Sequence, residues 1–261
     1  MCRECWTFGG TAPVTAVRTV LAEAVERLSG AGVDSAAYDE LVARRVAREP
    51  LQHLIGTTAF RYRELAVGPG VFVPRPETEV MVGWLLDRLG PVREPLVVDL
   101  CAGSGAIAGA VATERPDSVV HAVEKSAEAC IWARRNLDGT GVILHETDID
   151  GCLPELDGRA DAVIANPPYI PLTAWESVAV EARDHDPALA LWSGDDGLDA
   201  IRIVAAAAAR LLKPGGWFAC EHADVQGGTA PAVFTAIGAF TEVRDQADLA
   251  GRPRFATGMR V

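Results

Sequence analysis

No apolar run in this chain is long enough to cross a bilayer, and Met1 to Gly10 lacks the basic-then-apolar order of a secretory signal. Neither a membrane span nor export is expected, which leaves the cytoplasm as the default compartment. Positive charge is scarce: 24 Lys and Arg stand against 36 Asp and Glu, for a net charge of −12 and a pI near 4.9. A protein that grips duplex nucleic acid through its phosphates needs a basic face, so direct nucleic-acid binding is not expected. Metal-site spacing is also missing. Cys2-Arg3-Glu4-Cys5 has half of a zinc pattern, but no second CxxC or HxxxH follows and the five histidines are scattered, so no metal is expected. The other cysteines, Cys101, Cys130, Cys152 and Cys220, lie in apolar segments where thiols act as small hydrophobes, and disulfides are not expected. Internal repeats and low-complexity tracts are absent, and Ala205 to Ala209 reads as helix core.

What the chain does contain is enough for a sizeable core: 261 residues, 49% of them hydrophobic. Val17, Val20, Leu21, Ala24, Val25 and Leu28 repeat at helical spacing after Pro13 and stop at Gly30 and Gly32. A second helix is expected after Asp34-Ser35, with Tyr38, Leu41, Val42 and Val46 on one face, ending before Pro50. Arg44, Arg45 and Arg48 fall on its other face, either simply solvated or a surface for an acidic partner. Thr57 to Tyr62 and Glu64 to Val67 suggest a hairpin turning near Arg63, before Gly68-Pro69-Gly70 breaks the pattern. Phe72-Val73-Pro74-Arg75-Pro76-Glu77-Thr78-Glu79 then opens a helix through Leu89, with Pro76 and the acids in its first turn. Arg75, Pro76, Glu77 and Thr78 are either plain capping or part of a pocket wall.

From Leu96 the chain alternates strand and helix. Strands are expected at 96–100, 119–123, 142–146, 162–166, 217–221, 241–244 and 255–260, with helices at 106–113, 127–137, 197–212 and 229–237. Four or five βα units with a strand-rich end indicate a doubly wound α/β sheet. The sequence therefore divides into a short helical region at 1–50, a β-hairpin connector at 51–71 and a main domain at 72–261.

Two stretches carry the chemistry. The first is Val97-Val98-Asp99-Leu100-Cys101-Ala102-Gly103-Ser104-Gly105-Ala106, a buried strand, a small-residue loop and a helix start. Such glycines let backbone approach a nucleotide-like ligand at a strand's C-terminal end. The pattern is DxCxGxG rather than the GxGxxG of a pyrophosphate site, and the anion of Asp99 would repel a pyrophosphate while attracting a cation. S-adenosylmethionine, with an ammonium, a sulfonium and no phosphate, fits. Glu124, at the end of the second strand, is placed to accept from both ribose hydroxyls. Asp148 or Asp150, after the third strand, could meet the adenine edge; spacing does not separate them.

The second stretch is Ala162-Val163-Ile164-Ala165-Asn166-Pro167-Pro168-Tyr169-Ile170, a buried strand ending at an amide, two prolines and an aromatic. The prolines stiffen the exit and remove donors, leaving carbonyls free to accept. An Asn oxygen and a neighbouring main-chain carbonyl can hold both hydrogens of a substrate NH2 and aim its nitrogen at an electrophile. The bland alternative is an Asn-Pro turn that merely ends a strand.

With these motifs in place, the sequence resembles the protein N5-glutamine methyltransferases that modify peptide chain release factors, the HemK-like family, from about Asp39 to Val261. The marks are Glu49-Pro50-Leu51-Gln52-His53-Leu54-Ile55-Gly56, Val73 to Glu79, Asp99 to Gly105, Asn166 to Ile170, Gly194-Asp195-Asp196-Gly197-Leu198 and Asp248-Leu249-Ala250-Gly251-Arg252. An NPPY tetrapeptide alone is shared with adenine and guanine methyltransferases, whereas NPPYIP with PRPETE is far more specific.

The resemblance implies a Rossmann-like class I S-adenosylmethionine-dependent fold, and a substrate that is the glutamine of a Gly-Gly-Gln loop in a release factor. It also implies that Cys101, Ala102, Gly103, Ser104, Gly105 and Glu124 bind the cofactor, with Asn166, Pro167, Pro168 and Tyr169 holding the glutamine. Cys101 stands where many members have Gly. The family usually carries a longer helical domain first, and here several helices are expected to be missing. A monomer is expected. The rival readings are another amide, amine or exocyclic base nitrogen as acceptor, and a catalytically idle interaction protein.

Overall fold

Uninterrupted apolar runs, rather than alternating ones, dominate the chain beyond Leu96, and such runs belong in strands covered on both faces. The computed structural model describes residues 35–261. The expected helix from Pro13 to Leu28 and the Cys2/Cys5 pair lie outside them.

The described chain opens with α1 (Ser35–Val46), α2 (Leu51–Ile55), a hairpin of β1 (Thr57–Phe60) and β2 (Arg63–Ala66), and α3 (Thr78–Leu89). The winding then runs β3 (Leu96–Leu100), α4 (Ala106–Glu114), β4 (Val119–Glu124), α5 (Ala127–Leu137), β5 (Ile143–Glu146) and β6 (Ala160–Ala165). Two short helices follow, α6 (Val180–His185) and α7 (Ala188–Leu191), then α8 (Asp199–Leu211), β7 (Leu212–Glu221), α9 (Thr229–Ile237), β8 (Phe240–Ala247) and β9 (Pro253–Arg260). None of the helices described is long and apolar enough to cross a membrane.

Seven strands form one sheet in the order β5-β4-β3-β6-β7-β9-β8. β3 to β7 are parallel, and β9 runs antiparallel to both its neighbours. The chain winds outward from β3 to β5, then returns to place β6 on the other side of β3. That reversal opens a crevice at the carboxyl ends of β3 and β6, where open α/β sheets hold ligands. Alternate residues feed two core layers. Val98, Val163 and Phe218 pack with Ile201 and Leu211 of α8 and Phe234 of α9. Val97, Ile164 and Phe255 pack with Met81 and Leu85 of α3 and Ile107 and Val111 of α4, joined by Phe60 and Leu65 of the hairpin.

Three local expectations need correcting. The hairpin turns at Arg61-Tyr62, because Phe60 pairs directly with Arg63. Arg61 takes the left-handed conformation there (φ 51°) and is held by donating to the Glu79 carbonyl at 2.8 Å and to Glu114. Regular helix begins at Thr78, with Pro76 and Glu77 in a tighter lead-in where Thr78 and Glu79 amides donate to the Arg75 and Pro76 carbonyls. On α1, Val42 is buried but Val46 is exposed, since the helix ends there and the chain turns away toward α2.

Candidate active site

At the carboxyl edge of β3, β4 and β6 lies a cavity of about 370 Å³, within the range of small-ligand sites. From the loop after β3, Cys101, Ala102, Gly103 and Ser104 line it. Gly103 has φ +56°, and a Cβ added there would meet nothing within 4 Å, so its backbone is bare toward the cavity. Gly105 is not in the lining; a Cβ there would come within 2.8 Å of Leu137, so this glycine serves the packing of the loop on α5. Cys101 also has a positive φ, 63°, a strained choice for a side chain with a Cβ.

Glu124 faces the same cavity and is the joint between two loops: its carboxylate accepts from the Gly103 amide at 2.8 Å and the Ser126 amide at 2.7 Å. Each oxygen keeps lone-pair capacity for a further donor. The Ser104 hydroxyl, in the same loop as Gly103, is buried without a partner among the described residues. Asp148 lines the cavity and Asp150 does not. Lys125 holds the Asp148 carboxylate at 2.7 Å and draws its pKa below the usual value.

Asp99 stands elsewhere than the loop's charge pattern suggested. It is fully buried behind the loop, outside the lining, where one oxygen accepts from the Ala108 amide at 2.9 Å and the other has no partner among the described residues. Burial pushes its pKa up to about 8, so at neutral pH it is largely protonated and presents no anion to a ligand.

Asn166 emerges at the end of β6 and, with Pro168 and Tyr169, lines the other half of the cavity; Pro167 is buried and does not. Arg75 and Thr78 line it too, while Pro76 and Glu77 stay outside it in the lead-in turn. Asn166 donates from Nδ2 to the Thr78 hydroxyl at 3.4 Å, and Thr78 donates in turn to Glu221 Oε2 at 2.6 Å. The Tyr169 hydroxyl donates to the other Glu221 oxygen at 3.2 Å. Glu221, at the end of β7, is 1% exposed, and burial raises its pKa to about 7. Sequence reading missed it. The available signal was a lone carboxylate closing an apolar strand run. Gln226 was missed as well; it donates to the Tyr169 carbonyl at 3.0 Å and accepts from the Ala223 amide at 2.9 Å, fixing the tetrapeptide's exit.

The segment after the tetrapeptide folds back as a roof. Ile170 and Trp192 form an isolated parallel bridge, and between them Ala182, Pro187 and Leu189 to Leu191 cover the cavity. Three ion pairs tie this roof down. Arg75 meets the buried Asp186 at 2.6 Å, and Arg48 and Arg45 of the α1 region reach Glu181 at 2.8 and 3.4 Å. Arg45 and Arg48 are thus engaged by an acid of the same chain, and Arg44 pairs with Glu49 while its side chain stays 42% exposed.

Residues 65–182 match the family described as MTS, Methyltransferase small domain. The release factor glutamine methyltransferase of Streptomyces coelicolor is 59% identical over 227 residues, 86% of this chain and 81% of that protein. A 4-amino-L-phenylalanine/4-methylamino-L-phenylalanine methyltransferase of Streptomyces pristinaespiralis is 44% identical over 76% of this chain and 69% of its own length. The precorrin-6y C5,15-methyltransferase of Geobacter metallireducens superposes with a TM-score of 0.51 at 14% identity, over 75% of this chain and 94% of that one, a likeness of fold alone.

Proposed function

The chain belongs to the family of release factor glutamine methyltransferases, and on that premise we propose that it methylates the side-chain amide nitrogen of a glutamine in a peptide chain release factor, using S-adenosylmethionine. The carrying observation is the bonding of Asn166: it lines the cavity and its NH2 end donates to Thr78 at 3.4 Å, so Oδ1 is the end left to serve as an acceptor.

The residues present suit the cofactor. The bare backbone at Gly103 admits close approach, Glu124 offers two oxygens to a ribose diol, the Ser104 hydroxyl lacks a partner, and Asp148 can accept from an adenine amino group. When bound, S-adenosylmethionine supplies an electrophilic methyl carbon. The protein's part is to prepare the nitrogen. An amide nitrogen is a poor nucleophile because its lone pair is delocalised, so its orientation must be fixed and the charge developing on NH2 favoured. Asn166 Oδ1 accepts from that NH2, and Pro168 and Tyr169 line the space beside it, with Pro187 and Leu189 to Leu191 across the cavity.

The same reading assigns 72–261 to catalysis, 51–71 to a connector and 1–50 to a helical region, acting as a cytoplasmic monomer without direct nucleic-acid contact. The acidic net charge of −12 supports the last point.

A second reading takes an aromatic primary amine as acceptor, and the relative from S. pristinaespiralis is what favours it. An aniline nitrogen is likewise a planar NH2 with a delocalised lone pair. The deciding experiment is methyl transfer from labelled S-adenosylmethionine to purified release factors and, in parallel, to 4-amino-L-phenylalanine, with the labelled atom located by mass spectrometry. Label on the Gly-Gly-Gln glutamine upholds the first reading. Label on the amino acid alone replaces it with the second.

A further inference from the structure

We propose that Glu221 is a positioning residue which, acting through Thr78, sets which end of the Asn166 side-chain amide faces the substrate nitrogen. The inference deepens the glutamine-amide reading and rests on it for the identity of the substrate.

The two ends of an Asn side chain are nearly equal in size but opposite in hydrogen bonding, so shape alone does not choose between them. A substrate NH2 needs the oxygen end. The choice is made by a one-way chain of donors. An ionised carboxylate only accepts, and Glu221 accepts from Thr78 at 2.6 Å and from Tyr169 at 3.2 Å. The single hydroxyl hydrogen of Thr78 is committed to that bond. Its oxygen can then only accept, and the NH2 end of Asn166 is what it accepts from, at 3.4 Å. Oδ1 is left pointing at the cavity.

A protonated Glu221 reverses this logic. With a hydrogen on the carboxyl facing Thr78, the Thr78 hydrogen is released and can turn to the amide oxygen. The amide then presents NH2 to a substrate NH2, donor against donor. The charge on Glu221 is thereby read out as the polarity of Asn166. These four side chains come from the start of α3, the end of β6, the turn beyond it and the end of β7. The groups facing Glu221 are Thr78, Tyr169, Arg254 from β9 and Glu77 from the lead-in to α3. Burial and Glu77 raise its pKa, while Arg254 and the two hydroxyls lower it. Arg254 is itself shared with Asp248, at 3.2 Å.

The test uses the full chain and two readouts. In ¹⁵N NMR, the side-chain NH2 signals of Asn166, identified by their loss in Asn166→Asp, are followed against pH without substrate. The wild type should titrate near the Glu221 pKa of about 7, and both Glu221→Gln and Thr78→Val should abolish that titration. A titration that survives in either variant overturns the proposal. In kinetics with release factor as acceptor, Thr78→Val should lower kcat by about ten- to a hundredfold, as removal of an orienting partner does elsewhere. KM for the release factor should stay within about twofold, and the acid limb of the kcat profile should vanish. Thr78→Ser, which keeps the hydroxyl, should recover most of the lost kcat. A loss confined to KM, or an acid limb that persists in Thr78→Val, would overturn the proposal. If the NMR titration behaves as expected while the wild type labels no release factor, the glutamine reading fails and the positioning relation stands.

Discussion

Asn166 and Glu124 both line the cavity, and the roles proposed for them, toward substrate and toward cofactor, can each be tested by a single substitution. Asn166→Ala removes the acceptor held toward the cavity. By analogy with loss of one preorganised hydrogen-bonding group, transfer should slow about a hundredfold, roughly 3 kcal/mol in the barrier. Initial rates with labelled cofactor decide it, and a rate near wild type would dismiss the role given to this amide. Glu124→Gln keeps the shape but turns an NH2 toward either the Gly103 or the Ser126 amide, donor against donor, and removes the charge offered to a ribose diol. Cofactor affinity should fall by about 1.5–3 kcal/mol, roughly ten- to a hundredfold. An unchanged dissociation constant in calorimetry would confine Glu124 to organising the two loops. At this scale the sequence singled out Asn166 and Glu124 because each ends an apolar strand beside a recognisable local motif, and the fold places both on the cavity. Glu221 escaped because its meaning lies in a bond to Thr78, 143 positions away, for which neighbouring residues carry no sign. Asp99 was singled out from the same local motif, but only the fold shows it turned behind the loop.

Glycines separate the loop that makes the cradle from the one that anchors the roof. Gly103→Ala should cost only about 1–2 kcal/mol in stability, for a positive φ, since the added methyl meets no atom of the described residues within 4 Å. That methyl would instead occupy the cavity, so cofactor affinity should suffer more than stability. Gly197→Ala is the opposite case. At φ +76° its Cβ would stand 2.4 Å from the Tyr169 carbonyl oxygen and 2.7 Å from Gln226 Nε2, both fixed parts of the tetrapeptide's exit. A loss of about 2–4 kcal/mol is expected from strain and overlap together. Denaturant midpoints for the two variants, set beside calorimetric affinities, check the contrast; equal effects on both quantities would refute it. Among the elements, β3, α4, β4 and α5 were legible to within a residue or so, because long apolar runs alternate there with turn residues. α6 and α7 were not, since helices of 6 and 4 residues are too short to show a period. They are held by Arg75, Arg45 and Arg48 from distant parts of the chain.

The doubly wound sheet itself brings the two motifs together, since the reversal between β3 and β6 sets their carboxyl ends side by side. The same closure buries three carboxyl groups around the site, and this fixes how the whole molecule responds to pH. Burial raises Asp99 to about 8, Glu221 to about 7 and Asp186 to about 6. In the unfolded chain all three ionise near the ordinary carboxylate value of about 4. Between that value and their folded values the native state binds more protons than the unfolded state, so stability falls as pH rises. Each such group contributes at most about 1.4 kcal/mol per pH unit over its own window. Glu49, Asp148 and Asp248 work the other way, since ion pairing or backbone donors lower their pKa values. Their stabilisation is present above the ordinary carboxylate value and is lost only as pH falls through the lowered ones, outside the same window. Burial lowers the pKa values of His53, His121 and His222, so their contribution rises with pH up to the ordinary imidazole value of about 6.5 and opposes the carboxyls there. Equilibrium denaturation without cofactor should therefore show stability declining from roughly pH 7 to 8, the range that belongs to Asp99. Asp99→Asn keeps the acceptor for the Ala108 amide but cannot ionise, so its curve should be flatter in that upper range. A wild-type stability that climbs toward pH 8, or an Asp99→Asn curve parallel to it, would show that these buried groups are not what governs the response.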